Sequence, residues 1–197
     1  MSFYLTISNV GEGLFKEKGS KFYGFAIPCS SEDEAKVHLN KLKKDHHLAV
    51  HVCYAFRFGS DMKTYRSSDD GEPSNSAGPP ILGQIQSFDL TNVLVAVVRY
   101  YGGTNLGVGG LINAYRTAAK LAIENVEIIE DEDKQQIRVL FPYERMPQVM
   151  QIVKSDNLTI LEQNFDTNCC LKLSIPSSNE AFKIQLKKLD GVVLEEV

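Results

Sequence analysis

The sequence predicts an α+β protein of two small domains, and three observations lead there. Through residues 1–125, apolar runs with strand alternation are interleaved with segments of helical periodicity. From residue 126 to 197 the order changes to βαββαβ, the ferredoxin-like pattern. Charge changes with it: residues 1–125 carry 13 Lys/Arg against 12 Asp/Glu, and residues 126–197 carry 8 against 13. A chain of 197 residues with 43% hydrophobic and 23% charged residues has enough material for two cores. The boundary is expected near Asn125.

In the first domain Phe22–Pro28 reads as a strand. Ser31 opens a helix in which Glu34 completes a capping box, followed by Ala35, Leu39 and Leu42 at helical spacing. His51–Phe58 alternates as a strand. Ala77–Phe88 suits a helix with Ile81, Ile85 and Phe88 on one face; the strand Asn92–Tyr101 follows, then a helix beginning near Gly109. In the second domain Glu130-Asp131-Glu132-Asp133 reads as a charged turn or the exposed end of a strand. A strand (Gln136–Phe141), a helix (Pro142–Ser155), strands at Thr159–Phe165 and Asn168–Ile175, a helix (Ser178–Leu189) and a strand (Val192–Glu195) complete it.

Several function classes are excluded by composition. The opening MSFYLTISNV has no basic segment leading into a long apolar core, and no stretch reaches the length of a membrane span, so a cytoplasmic protein without a membrane partner is expected. Cys29 and Cys53 stand alone in apolar runs, and Cys169-Cys170 would point to opposite faces of a strand. No C-x-x-C spacing occurs, and buried free thiols are expected. Lys36, Lys41, Lys43 and Lys44 form the one basic cluster, which reads as the solvated face of a helix because no aromatics are interleaved with it.

The segment Arg99–Gly110, RYYGGTNLGVGG, sets five glycines between an apolar run and an amphipathic one. A strand passing through such a loop into a helix exposes backbone N–H groups and lets another molecule approach closely. The loop is neither a P-loop, which ends in Gly-Lys-Ser/Thr, nor a dinucleotide fingerprint. A purely geometric role in a sharp turn is the plain alternative.

A second unusual stretch, Arg66–Ile81, crowds Asp69, Asp70 and Glu72 around Gly71. Three acids in four residues repel one another unless they meet a cation or backbone donors. The calcium-loop spacing is absent, and no metal site is assigned. Pairing of the carboxylates with Arg66, Arg99 or loop amides would tie the two stretches into one site.

The runs Asp69-Asp70-Gly71-Glu72-Pro73-Ser74, Ala77-Gly78-x-Pro80-Ile81-Leu82, Thr91-Asn92-Val93-Leu94-Val95, Arg99-Tyr100-Tyr101-Gly102-Gly103, Leu106-Gly107-x-Gly109-Gly110-Leu111 and Ala114-Tyr115 closely resemble the YigZ/IMPACT family. Lys18-Gly19-Ser20-Lys21-Phe22 and His51-x-Cys53-Tyr54-Ala55 fit the same pattern. The motifs cover the first 125 residues; length and element order extend the match to the rest. The resemblance implies the bacterial two-domain YigZ type. Its N-terminal domain is an α+β fold related to domains of a small-subunit ribosomal protein and of elongation factor G, and its C-terminal domain is ferredoxin-like. In the eukaryotic branch it implies restraint of the general-control stress kinase through competition for its activator, hence regulation of translation. Many members carry a basic residue at the positions of Pro79, Asn105 and Asn113, all uncharged here, so a phosphate backbone would meet less positive charge.

Enzymatic candidates are few. Ser67, Ser68 and Cys53 could be nucleophiles and His46, His47 and His51 bases, but no strained nucleophile turn accompanies them. The expected function is therefore non-enzymatic binding, with no catalytic residue and no cofactor. It would regulate translation or its stress response through ribosome, RNA or translation-factor contacts. The expected site joins Asp69, Asp70 and Glu72 to the glycine loop, with Arg99 and Tyr100 flanking it. Gly102, Gly103, Gly107 and Gly109 would permit backbone approach, with Thr104 and Asn105 at the tip. The alternative is a Mg²⁺-dependent enzyme holding a small phosphorylated substrate at the glycine loop.

Overall fold

A computed structural model describes residues 3–165 and 169–196. The chain divides into two units, one spanning Phe3–Asp131 and the other running from Glu132 onward. The first contains β1 (Phe3–Ile7), β2 (Gly11–Glu17), β3 (Ser20–Pro28), α1 (Glu32–Asp45), β4 (His51–Phe58), β5 (Thr64–Ser68), α2 (Gly78–Ser87), β6 (Val93–Tyr100) and α3 (Gly107–Glu124). A last strand, β7 (Ile128–Glu132), pairs with β1 and carries the first unit past the expected boundary at Asn125.

The main sheet has the order β2-β3-β6-β4-β5, with every pairing antiparallel. Its centre is β6, whose valine-rich run is buried on both faces, as befits a strand covered from two sides. Val93, Val95 and Val97 pack with Ile81, Ile85, Ala114, Tyr115 and Ala118 of α2 and α3. Leu94, Ala96 and Val98 pack with Ala35, Leu39 and Leu42 of α1 on the other face. Alternation at a period of two assigns each residue of β6 to one layer. Helix α3 lies close on β2 and β3: a Cβ at Gly24 would overlap the Ala118 carbonyl oxygen.

Ser31 caps α1, its Oγ accepting the Glu34 N–H at 3.3 Å. The Glu34 carboxylate accepts the Ser30 N–H at 2.9 Å, so the reciprocal half of the expected capping box falls one residue earlier.

The second unit contains β8 (Lys134–Phe141), a 3-10 turn (Tyr143–Arg145), α4 (Met146–Ser155), β9 (Thr159–Phe165), β10 (Cys169–Pro176), α5 (Glu180–Lys187) and β11 (Val193–Glu196). Its antiparallel sheet runs β11-β8-β10-β9, the ferredoxin-like order for βαββαβ connectivity. Ile137, Val139, Leu171 and Leu173 meet Val149, Val153, Phe182 and Leu186 in its core. Cys169 is buried and Cys170 half-buried, as neighbours on one strand; Cys29 and Cys53 are buried. Among the described residues no helix is long and apolar enough to cross a membrane.

Several boundaries differ from the sequence expectation. The expected helix Pro142–Ser155 is split, because Met146 starts α4 only after the 3-10 turn. The expected helix Ser178–Leu189 is shorter: Asn179 Oδ1 accepts the Phe182 N–H at 3.1 Å and sets its start. The charged run Glu130–Asp133 is mostly strand, with Asp133 alone between β7 and β8. Asn168, the expected first residue of its strand, lies outside the described residues.

Candidate functional site

The acidic stretch leaves β5, enters α2 and spends its carboxylates within the chain. Helix α2 opens at Gly78 after Ala77, which has no capping side chain. Asp69 supplies the cap instead: Oδ1 accepts the N–H groups of Ala77 and Gly78 at 2.9 and 2.8 Å, and Oδ2 accepts the Asn75 N–H at 2.8 Å. A carboxylate there satisfies orphan donors and meets the positive end of the helix.

Asp70 adopts a left-handed φ of 41° and faces β4. Its Oδ2 accepts the Val52 N–H at 2.8 Å and its Oδ1 accepts Lys43 Nζ at 3.0 Å. The Asp70 carbonyl is 2.7 Å from His51 Nδ1, and because a carbonyl only accepts, that nitrogen carries the proton. The Cys53 thiol donates to the Asp69 carbonyl at 3.0 Å. Burial pushes the Cys53 thiol up to about 12, which keeps it protonated and a poor nucleophile.

Glu72 is buried. Its Oε1 accepts Arg99 Nη1 at 2.5 Å and the Tyr115 hydroxyl at 2.6 Å, with His51 Nε2 4.0 Å away. Arg99 is only 6% exposed. Its guanidinium carbon lies 5.5 Å from the ring centroids of both Phe22 and Tyr101, while its Nε is buried without a hydrogen-bond partner among the described residues. Burial above all, with Cys53 and Glu72 reinforcing it, holds the Tyr115 phenol above its ordinary range. This buried pair pins the acidic loop to the end of strand β6 and, through Tyr115, to α3. Arg66 takes no part: it pairs with Glu32 at 3.8 Å.

Beyond Arg99 the chain divides into a packed half and an open half. Gly102 donates its N–H to Ser20 Oγ at 3.0 Å, and a Cβ on it would overlap Gly19 and Ser20. Gly103, at φ +84°, has open space on its Cβ side, as do Gly107 and Gly109. Thr104 and Asn105 are exposed, and the Tyr101 hydroxyl donates to Asn105 Oδ1 at 3.2 Å. Helix α3 begins at Gly107, two residues before the expected start, with no side-chain cap from Leu106.

The structure thus brings Glu72, Arg99 and Tyr115 into contact and sets Asp69 and Asp70 beside them as loop anchors. Arg99 and Tyr100 do not flank a common surface. They are successive residues of β6, so Arg99 faces the α2–α3 layer while Tyr100 faces the α1 layer, where its hydroxyl is 2.9 Å from His46 Nδ1. Tyr115, His51 and His46 carry contacts that the motif reading did not assign to the site. Helical periodicity would have placed Tyr115 on the buried face of α3. The three acidic side chains point to different partners, and among the described residues no group of three His, Cys, Asp or Glu side chains is arranged to hold a metal ion.

A two-domain α+β protein with a buried acid–arginine tie beneath a glycine loop is the class that fold and site define. Comparisons with known proteins place it further. Residues 18–123 match the model of the Impact N-terminal domain. An IMPACT family member of Haemophilus influenzae is 35% identical over 176 residues, covering 86% of this chain and 84% of its own. The member YvyE of Bacillus subtilis is 35% identical over 127 residues, or 64% of this chain, which spans 58% of that relative's length. A crystal structure of a hypothetical protein superposes with a TM-score of 0.77 at 24% identity, covering 100% of this chain and 98% of the other, a likeness of fold. The chain belongs to the IMPACT family.

Proposed function

We propose that this chain is a non-enzymatic cytoplasmic binding protein that regulates translation or its stress response, contacting a ribosome, RNA or translation factor through the exposed tip Gly103–Asn105 and the first turn of α3. The observation that carries this reading is the division of labour at the site. Asp69, Asp70 and Glu72 are consumed by internal partners and build a rigid support, whereas the tip carries exposed side chains and glycines with open space beside them. A rigid element presenting uncapped amides suits recognition. Family membership supplies the second support, since the resemblance to YigZ/IMPACT proteins implies translation control.

A Mg²⁺-dependent enzyme would draw on Asp69, Asp70 or Glu72 for the ion, and each of these carboxylates is engaged by internal donors, which favours the binding reading. The test is co-sedimentation of the full chain with ribosomes at low and near-physiological salt, beside Thr104→Glu. Association that persists at near-physiological salt and is lost in the variant, with an unchanged melting temperature, is the expected result. Absence of association, or equal association by both proteins, overturns the proposal.

A further inference from the structure

On the α1 face of the main sheet lies a cleft of about 480 Å³ lined by Gly19, Lys21, Tyr23, His46, Tyr100 and Tyr101. Tyr23 and Tyr100 line it from the face opposite Arg99, whereas Tyr101 at its edge also touches Arg99 and, through its hydroxyl, Asn105 of the glycine-loop tip. Its volume falls in the range of small-ligand sites. Its floor is aromatic: the Tyr23 and Tyr100 rings meet edge to face at 5.8 Å, and His46 stands 6.0 Å from each. The bond between His46 and the Tyr100 hydroxyl holds this cluster together. Tyr101 stands at the rim and, with the Arg99 guanidinium 5.5 Å from its ring centroid, is still 48% exposed.

The wall is cationic. Lys21 is exposed and, among the described residues, has no ion-pair partner; Lys16 sits opposite it in the β2–β3 register and is equally free. No carboxylate lines the cleft. His46 also lines a second, smaller cleft of about 220 Å³ with Lys43, His47 and His51. The one acid there, Asp70, is already engaged by Lys43 and the Val52 N–H.

We propose that this cleft binds single-stranded RNA, one unstacked base lying against the exposed Tyr101 and the Tyr23–Tyr100 floor, with the adjoining phosphates drawn to Lys21 and Lys16. An apolar partner would have no use for the unpaired lysines, and a simple anion would have none for the rings. A nucleotide uses both, through sequence-tolerant stacking and phosphate attraction. The site deepens the translation reading and rests on it for the choice of RNA over DNA.

Fluorescence anisotropy of labelled uridine and adenosine oligoribonucleotides of about 12 nucleotides, titrated with the full chain between about 50 and 200 mM salt, tests it. Saturable binding is expected. Tyr101→Ala should weaken it about tenfold, in line with the loss of one stacked base, while Tyr101→Phe retains most of it. Lys21→Gln should flatten the salt dependence by about one phosphate contact, and Lys120→Gln on α3 should bind as the parent does. No saturable binding, binding by Tyr101→Ala and Lys21→Gln equal to the parent's, tighter binding of the deoxy oligomer, or competition by uridine monophosphate as effective as the oligomer would each overturn the assignment. Ribosome co-sedimentation lost in Thr104→Glu would stand whatever this titration shows, so the two failures are separable.

Discussion

Replacing Arg99 by alanine tests the reasoning about the site at its most demanding point. Arg99 and Glu72 form an ion pair within the protein, and Tyr115 shares the same carboxylate oxygen. Two charges removed from water are tolerable only as a pair, so deleting the guanidinium leaves a buried carboxylate with one hydroxyl donor and a distant imidazole. The general cost of breaking such a pair is about 3–5 kcal/mol. At about 2–4 °C per kcal/mol for a chain of this size, the first unit should lose roughly 6–20 °C in melting temperature. Glu72→Gln keeps an acceptor for both Arg99 and Tyr115 but leaves the guanidinium buried without its counter-charge, so it too should cost about 3–5 kcal/mol. The double variant Arg99→Met/Glu72→Leu removes both charges and should cost less than the sum of its single changes, because no charge is left unpaired. Urea unfolding monitored by circular dichroism measures all of these. A loss below about 1 kcal/mol in Arg99→Ala, or strict additivity in the double variant, would refute the claim that a desolvated pair fastens the acidic loop.

Three further outcomes follow from the same geometry. Asp69→Ala strips three backbone donors of their acceptor at the start of α2 and should cost about 1–3 kcal/mol, with faster hydrogen exchange at Asn75, Ala77 and Gly78. Gly102→Ala should destabilise the first unit markedly because its methyl would overlap Gly19 and Ser20, whereas Gly109→Ala, in open space within α3, should be neutral or stabilise by up to about 1 kcal/mol; thermal melts separate the two. Burial raises the Cys53 thiol from 9.0 to about 12 and the Cys29 thiol to about 11, so both are protonated in the folded protein when they would ionise in the unfolded chain. Their contribution is complete below pH 9 and lost as pH rises through 11 to 12, so stability should fall over that window, more steeply than in a Cys29→Ser/Cys53→Ala variant.

Where hydrophobic period and turn chemistry agreed, the elements could be read from the sequence. His51–Phe58 and Thr159–Phe165 emerge with the expected bounds, and the C-terminal element order gives its sheet. The unread elements lack that agreement. Strand β2 carries glycines at positions 11 and 13 because α3 presses against it, and glycine suggests a turn when the helix is out of view. Strand β5 is polar and largely exposed, held through its pairing with β4. Strand β7 hides in an acidic run.

At the site, internal pairing through Arg99 and loop amides was among the sequence readings, but the choice of partner for each acid depends on distances that sequence does not hold. The opposite facing of Arg99 and Tyr100 was legible from strand alternation alone. The cleft on the α1 face was not. Its lysines and aromatics are scattered over positions 16 to 101, and a search for basic residues interleaved with aromatics along the chain passes over residues that only the β2–β3 and β3–β6 pairings and the end of α1 bring together.

On the proposed reading, the tip beyond Gly102 makes the contact and the acidic loop supports it. Hydrogen exchange of the full chain with and without ribosomes, resolved to single amides, tests this most directly. New protection is expected at Gly103–Val108, with little change at Asn75, Ala77 and Gly78, whose amides are already bonded to Asp69. Unchanged exchange at Gly103–Val108 in a chain that demonstrably co-sediments with ribosomes would contradict it.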